Sequence, residues 1–363
     1  MRLQSARSPL ACAALVRQLR HLSTDSVRVR SAAAALAAAW LGACASVAPP
    51  PQRELVVRGP LPTRVQHPLA LVQPSFTPRS VRTQADGAWR LEGELGYSSI
   101  FERSARAGER VAFDAELLRA SLRMRRGVAR GVDLELALGG VYGSSGFLDQ
   151  FIEEFHAFIG APNQGRDRFP QDRFEATVGI DGQSAWSWRD DRAQLGDTLV
   201  VLTVGEPELA REQWGNAWRV GLELPTGDED QGSGNGGVDW MLGWNGEISV
   251  AATTHFVGAS LGQAQTPSSL ERAGVDLPPR ASVFYGLEWR WGASWSWVFQ
   301  LDLQSPLLDD VSLQEIDQPI LDLGVGFVRD AGANSRWWFS FHEDLLADSG
   351  PDFALFLGWM WGL

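Results

Sequence analysis

Apolar residues recur at every second position over most of this chain. Trp89, Leu91, Leu95, Tyr97 and Phe101 alternate with Arg90, Glu92, Glu94 and Ser98. Val132 to Leu138 alternates with Asp133 and Glu135, and Trp218 to Leu224 with Arg219 and Glu223. The pattern returns at 283–291 around Glu288 and Arg290, at 295–303 around Asp302, and at 321–327 around Asp322. Trp337, Phe339 and Phe341 oppose Ser340 and His342, and the last strand runs from Phe353 to Leu363. Period two places one set of side chains on each face of a strand, whereas a helix would repeat near 3.6. Grouping these segments predicts about fourteen strands, or twelve if the weakest segments (172–181, 184–190 and 197–205) do not all count. Between Phe113 and Leu118 the apolar positions shift from odd to even, which predicts a β-bulge near Glu116. With the bulge in place, Arg119, Arg123 and Arg125 would face the same side as Glu92 and Glu94.

The connections sort by length. Arg126–Arg130, Asp181–Gln183, Gly292–Ser294 and Arg329–Ser335 are short, while 144–171, 226–237, 263–280, 305–318 and 344–352 are long. Short turns on one side and long loops on the other are characteristic of transmembrane barrels. The expected fold is therefore an all-β, up-and-down antiparallel barrel over 86–363, with short turns periplasmic and long loops extracellular. After residue 45 no apolar run reaches the roughly 18 residues of a spanning helix. Sixteen tryptophans and 38 glycines fit aromatic girdles and glycine-rich turns. A secreted β-sandwich would also alternate. It would have to bury the tryptophans that lie opposite the charged residues and find partners for their N–H groups.

The net charge is −12, and all 32 basic residues are arginine. That balance speaks against nucleic acid as a partner. Arg28 and Arg30 precede an apolar stretch from Ser31 to Gly42, as in a signal peptide over 1–45. Leu41-Gly-Ala-Cys44 has the form of a lipobox with Cys44 as the lipidated residue; ordinary cleavage after Ala45 is the other reading. Residues 46–85 are rich in proline and are expected to lie as a periplasmic segment at the barrel mouth.

One segment has a helical period. Phe147, Phe151, Phe155 and Phe158, with Leu148, Ile152 and Ile159, form an apolar stripe that ends at Gly160 and Pro162. Such a helix, carrying His156 on its polar side, could fold into the lumen as a plug, lie on the membrane rim, or pack over the barrel mouth.

The run Gly146 to Arg166 resembles a hallmark of a bacterial outer-membrane family known only as domain of unknown function 3187. Gly59-Pro-Leu-Pro-Thr-Arg-Val-Gln-His-Pro-Leu69, Leu224-Pro-Thr-Gly-Asp228 and Pro351-Asp-Phe353 are similar to that family's segments too, although Val65 and His67 depart from it. The resemblance spans about 59–363 and implies a barrel and export, with no activity to carry over. The C-terminal strand also resembles the signal read by barrel-assembly machinery, with Phe356 and Leu363 as departures.

Chemical motifs are sparse. His67, His156, His255 and His342 have no zinc-protein spacing, and no cofactor or metal site is expected. His156 lies beside Glu153 and Glu154, and Ser340 with His342 shares a face as a lipid hydrolase would require. Gly232–Gly237 precedes a strand and reads as a flexible loop rather than a phosphate cradle. Asp228, Glu229, Asp230, Asp309 and Asp310 could share divalent cations with lipopolysaccharide. The charges expected to line the lumen are Arg90, Glu92, Glu94, Asp133, Glu135, Arg219, Glu223, Glu288, Arg290, Asp302 and Asp322. A barrel this wide is not filled by wall side chains alone. The sequence therefore points to an outer-membrane channel or solute-binding barrel of a Gram-negative-type envelope, contacting lipid and lipopolysaccharide. A lipid-modifying enzyme or a sealed structural barrel is the alternative.

Overall fold

The computed structural model describes residues 56–362, except 161–164, 189–191, 310, 314 and 347–348. The expected signal peptide and Cys44 lie outside the described residues.

Fifteen strands alternate through the chain: β1 (Trp89–Arg106), β2 (Glu109–Ala129), β3 (Val132–Ser144), β4 (Glu175–Ile180), β5 (Gln183–Ser187), β6 (Ala193–Leu195), β7 (Thr198–Val204), β8 (Gly215–Leu224), β9 (Asp239–Val250), β10 (Thr253–Gln263), β11 (Arg280–Arg290), β12 (Trp295–Gln304), β13 (Ile320–Asp330), β14 (Ser335–Asp344) and β15 (Phe353–Gly362). Twelve of them close into an antiparallel barrel, because β15 pairs with β1 and the ladder then runs β1–β2–β3–β7 and onward to β14. The count is twelve rather than fourteen for a local reason. β4 and β5 form a hairpin that pairs only with the far end of β2, Arg110–Asp114, and β6 adds to the end of β3. The turn at Asp181–Gln183 accordingly sits on the long-loop side. Closure removes every edge in the membrane zone, so no backbone group there meets lipid unpaired.

The bulge near Glu116 is absent. β1 and β2 keep one register from Trp89↔Arg126 to Arg106↔Glu109. The apolar positions shift because the interior changes character along the strand. At the turn-side end the lumen is polar, so Arg119, Arg123 and Arg125 point inward and Leu118 and Leu122 outward. At the loop-side end the interior is apolar, and Val111, Phe113, Ala115 and Leu117 point inward to a core with Ile100, Val141, Trp186, Leu270 and Leu313. β1 and β2 are 18 and 21 residues long, about twice the 9–11 that cross a bilayer, so their upper halves carry this cap.

The outer face is apolar, as Leu95, Leu134, Val220, Leu242 and Val283 show by their exposure. Its tryptophans gather toward the short turns: Trp89, Trp218, Trp289, Trp291, Trp297, Trp337 and Trp361. Indoles there keep an apolar body against lipid and the N–H at the headgroups. Trp240 stands at the other rim, while Trp186, Trp188 and Trp338 are buried in the protein.

A lumen filled by the N-terminal segment

Residues 57–84 do not lie at the mouth of the barrel, as their proline content had suggested; they run inside it. Arg58 starts beside the short turns, donating to the Ala293 carbonyl and pairing with Asp330. The chain climbs past β12 and β13 and reverses at the four-residue helix α1 (Pro68–Leu71), which packs into the loop-side core through Leu69 and Ala70. It then descends along β7–β9 and leaves at Arg82–Asp86, bridged to Glu206 and Gly127. Prolines at 60, 62, 68, 74 and 78 explain why this stretch can be threaded. Each lacks an N–H, leaving fewer donors to satisfy inside.

The remaining backbone groups are met by wall side chains. Glu288 accepts from the N–H groups of Arg58 (3.0 Å) and Gly59 (3.3 Å) and from Ser296 Oγ (2.7 Å). Gln300 accepts from the Leu61 N–H at 3.1 Å and donates to its carbonyl at 3.2 Å. Arg123 donates to the Pro62 carbonyl (2.9 Å), Arg219 to that of Thr77 (2.8 Å) and Asn245 to that of Arg79 (2.9 Å). Asp133 receives the Gln84 N–H at 2.8 Å. His67 Nδ1 accepts from the Leu69 N–H, which leaves Nε2–H to donate to Glu102 at 3.3 Å.

The charges interlock in the same way. Arg79 joins Glu92 (2.7 Å) to Glu135 (3.1 Å), and Arg82 pairs with Glu247 at 2.9 Å. Arg123 bonds Glu92 and Glu94, Arg119 reaches Glu94 at 3.4 Å, and Arg64 lies 3.8 Å from Glu223. Arg290 binds Thr254 Oγ1 and the carbonyls of Ala251 and Thr253 at the turn. Of the eleven charges named from the sequence, Glu92, Asp133, Glu135, Arg219, Glu223 and Glu288 contact the inserted segment directly. Arg58, Arg64, Arg79, Asn245, Glu247 and Gln300 complete the network. The segment signalled itself in one way: 56–85 holds four arginines and no carboxylate in an acidic chain.

Asp302 and Asp322 are directly opposed across β12 and β13. His342 Nδ1 lies 2.6 Å from Asp322, and its Nε2 is 3.1 Å from Ser340 Oγ. The order Ser–His–Asp is that of a nucleophile relay. Ser340 is wholly buried, and Leu61 of the inserted segment packs on the neighbouring Gly326 position. In this arrangement the imidazole bridges Asp322 and Ser340, and Asp302 faces Asp322 from the next strand. Among the described residues no group of three or more His, Cys, Asp and Glu could hold a metal ion.

The helix predicted from the phenylalanine stripe is α2 (Asp149–Ile159). It does not enter the lumen. Phe151 meets Phe353 and Phe155 meets Phe341, while Phe147 stacks near Tyr97; these partners share the outward face of β15, β14 and β1. Ile152 and His156 are buried on the docking side, where His156 lies 3.8 Å from Glu343. Phe147, Phe151 and Phe158 remain exposed, Phe158 at 87%. A loop ion cluster fastens the helix: Arg166 binds both Asp149 and Asp352. Burial alone would lower the Arg166 guanidinium, but Asp352 and Asp149 outweigh it and raise its pKa.

The family described as protein of unknown function DUF3187 matches residues 38–363. The chain belongs to that family. No curated protein matches it in sequence. Among solved structures, the DUF3187 chain is similar to the COG4313 outer-membrane channel from Pseudomonas putida F1, with a TM-score of 0.54 at 13% identity, over 80% of this chain and 100% of that one. The KdgM porin in complex with disordered oligogalacturonate gives 0.39 at 7% identity over 76% and 98% of the two chains. The CymD monoaromatic hydrocarbon channel gives 0.35 at 8% identity over 82% and 91%. The first likeness concerns the fold; the other two carry no argument.

Proposed function

We propose that this protein is an outer-membrane channel for small polar solutes, closed at rest by its own N-terminal segment. The carrying observation is the mismatch between wall and filling. Twelve strands enclose more space than their side chains occupy. The space is taken by a segment that belongs to no strand and that is held by polar contacts to a charged wall. Polar contacts of this kind can be exchanged for water, contributing on balance about 1 kcal/mol each between neutral groups and about 1.5–3 kcal/mol where one group is charged. Withdrawal of the segment would also take Val65, Leu69 and Ala70 out of the loop-side cap. The likeness to an outer-membrane channel supports the barrel and its location; the solute and the closed state rest on the lumen chemistry. Contacts with lipopolysaccharide and assembly by barrel machinery follow from that location.

The test is single-channel conductance in planar bilayers. The full chain should give rare or small steps, and a variant lacking 57–84 should give long-lived larger ones. Gly59→Cys with Val298→Cys supplies a lock, since a Cβ on Gly59 would lie 3.3 Å from Val298 Cγ2; oxidation should close the channel and reduction restore its openings. Silence from the deletion variant, shown to be a folded barrel, would overturn the proposal in favour of a sealed structural barrel.

A further inference from the structure

Six arginines converge on one cavity at the end of the barrel that carries the short turns. The cavity, of about 140 Å³, is bounded by Arg58, Arg79 and Arg82 of the inserted segment and by Arg90, Arg125 and Arg336 of the wall. No aspartate or glutamate is among its described lining residues, in a chain whose net charge is −12. A single water needs only about 10–15 Å³ on the same measure, so the space admits a larger guest.

Among the described residues, five carboxylates engage five of these six arginines. Asp330 holds both Arg58 and Arg336, Glu92 and Glu135 hold Arg79, and Glu247 holds Arg82. Asp133 stands 3.8 Å from Arg125. Arg90 has no hydrogen bond or ion pair among the described residues, and Arg125, Arg336 and Arg79 are the cations that act on it alongside Glu92. Among the described residues, buried N–H atoms also remain without a hydrogen-bond partner: Arg79 Nε, Arg82 Nη2, Arg125 Nε and Trp338 Nε1. Arg79, Arg125 and Trp338 are more than nine-tenths buried. Unpaired donors at that depth each cost free energy unless a guest accepts from them. Guanidinium groups in a concave cluster match the planar and tetrahedral oxygens of carboxylate and phosphate.

We infer that this cavity binds a multiply charged oxyanion of the phosphate or polycarboxylate class, clasped between the inserted segment and the wall. Three of its arginines come from each side, so a bound anion ties the segment to β1, β2 and β14. By linkage, the anion stabilises the inserted state over any state in which the two halves part. This inference does not depend on the channel opening.

The experiment is calorimetric titration of inorganic phosphate, then citrate, into the refolded full chain in detergent. Saturable binding of either is expected, weakened at least tenfold in Arg90→Gln and Arg125→Gln. Arg329→Gln, an exposed arginine outside the cavity, should bind like the wild type. Heat-modifiable migration on gels verifies the barrel in each variant; Arg90 makes no hydrogen bond or ion pair among the described residues, so its variant should fold. Absence of saturable binding to both anions, or equal affinity in folded Arg90→Gln, would overturn the inference. A barrel that binds phosphate but never conducts would overturn the channel reading and leave this site standing.

Discussion

Residues 57–84 and helix α2 both stand apart from the barrel strands, and they lie on opposite sides of the same wall. The first has no periodic pattern, five prolines and four arginines, and it is buried almost throughout. The second has the strongest apolar stripe outside the strands, and it leaves Phe147, Phe151 and Phe158 exposed on the outer surface. The difference follows from which solvent each side faces. The lumen is a polar medium in which a chain must satisfy hydrogen bonds and charge, so an arginine-bearing, donor-poor segment suits it. The outer surface faces hydrocarbon and headgroups, where exposed phenylalanine is favourable and no burial inside the protein is required. Phe353, which docks α2, lies eight residues up β15 from Trp361. At about 3.3 Å per residue and a strand tilt near 40° this is roughly 20 Å, close to the height of the apolar band.

The comparison can be broken at its strongest point by two deletions. Loss of 57–84 should change conductance from nearly silent to persistently open, whereas loss of 147–159 should leave it unchanged. Equal effects in planar bilayers would mean that the two regions do not have separate roles. Next in size is Arg166→Ala. It strands Asp149 and Asp352 in a buried site and should cost about 3–5 kcal/mol locally, read as faster proteolysis of the 145–172 loop with conductance preserved. Leu95→Arg places a charge on the exposed outer face, six residues above Trp89. It should destabilise the folded barrel by about 2–4 kcal/mol in urea titrations in lipid vesicles, as expected near the bilayer midplane. The smallest effect belongs to Phe158→Ser. At the rim it should cost less than about 1 kcal/mol, while a fluorophore attached through Phe158→Cys should be quenched by lipids labelled near the headgroup. A fluorophore quenched only by aqueous iodide would place α2 away from the membrane.

Much of the wall was legible from alternation alone. The outward apolar face and the inward polar positions follow from a side-chain period of two, and the connections sort by length except at Asp181–Gln183, a short turn on the long-loop side. The helix was legible as a helix, from Phe147 to its end at Gly160, but its side of the wall was not. An apolar stripe marks a face that avoids water, and protein core and lipid satisfy that equally. The shift at Phe113–Leu118 is legible as a change, but its cause is the apolar filling of the upper barrel and not a bulge. An inward residue can be apolar or charged according to what fills the barrel at its height, and strand pattern carries no record of the filling. Ser340 and His342 were visible as neighbours on one face; Asp322, twenty positions away, joined them only through the register of β13 and β14.

The sequence by itself determined that this chain makes an antiparallel barrel with a polar inside and a lipid-facing outside, because both properties are local and repeat every two residues. The strand number, the path of 57–84 through the lumen, the outer position of α2 and the meeting of six arginines at one cavity were decided by tertiary structure. Each depends on which distant groups close upon one another. Arg58 finds Glu288 and Asp330, more than two hundred residues away, only once the barrel has closed around it.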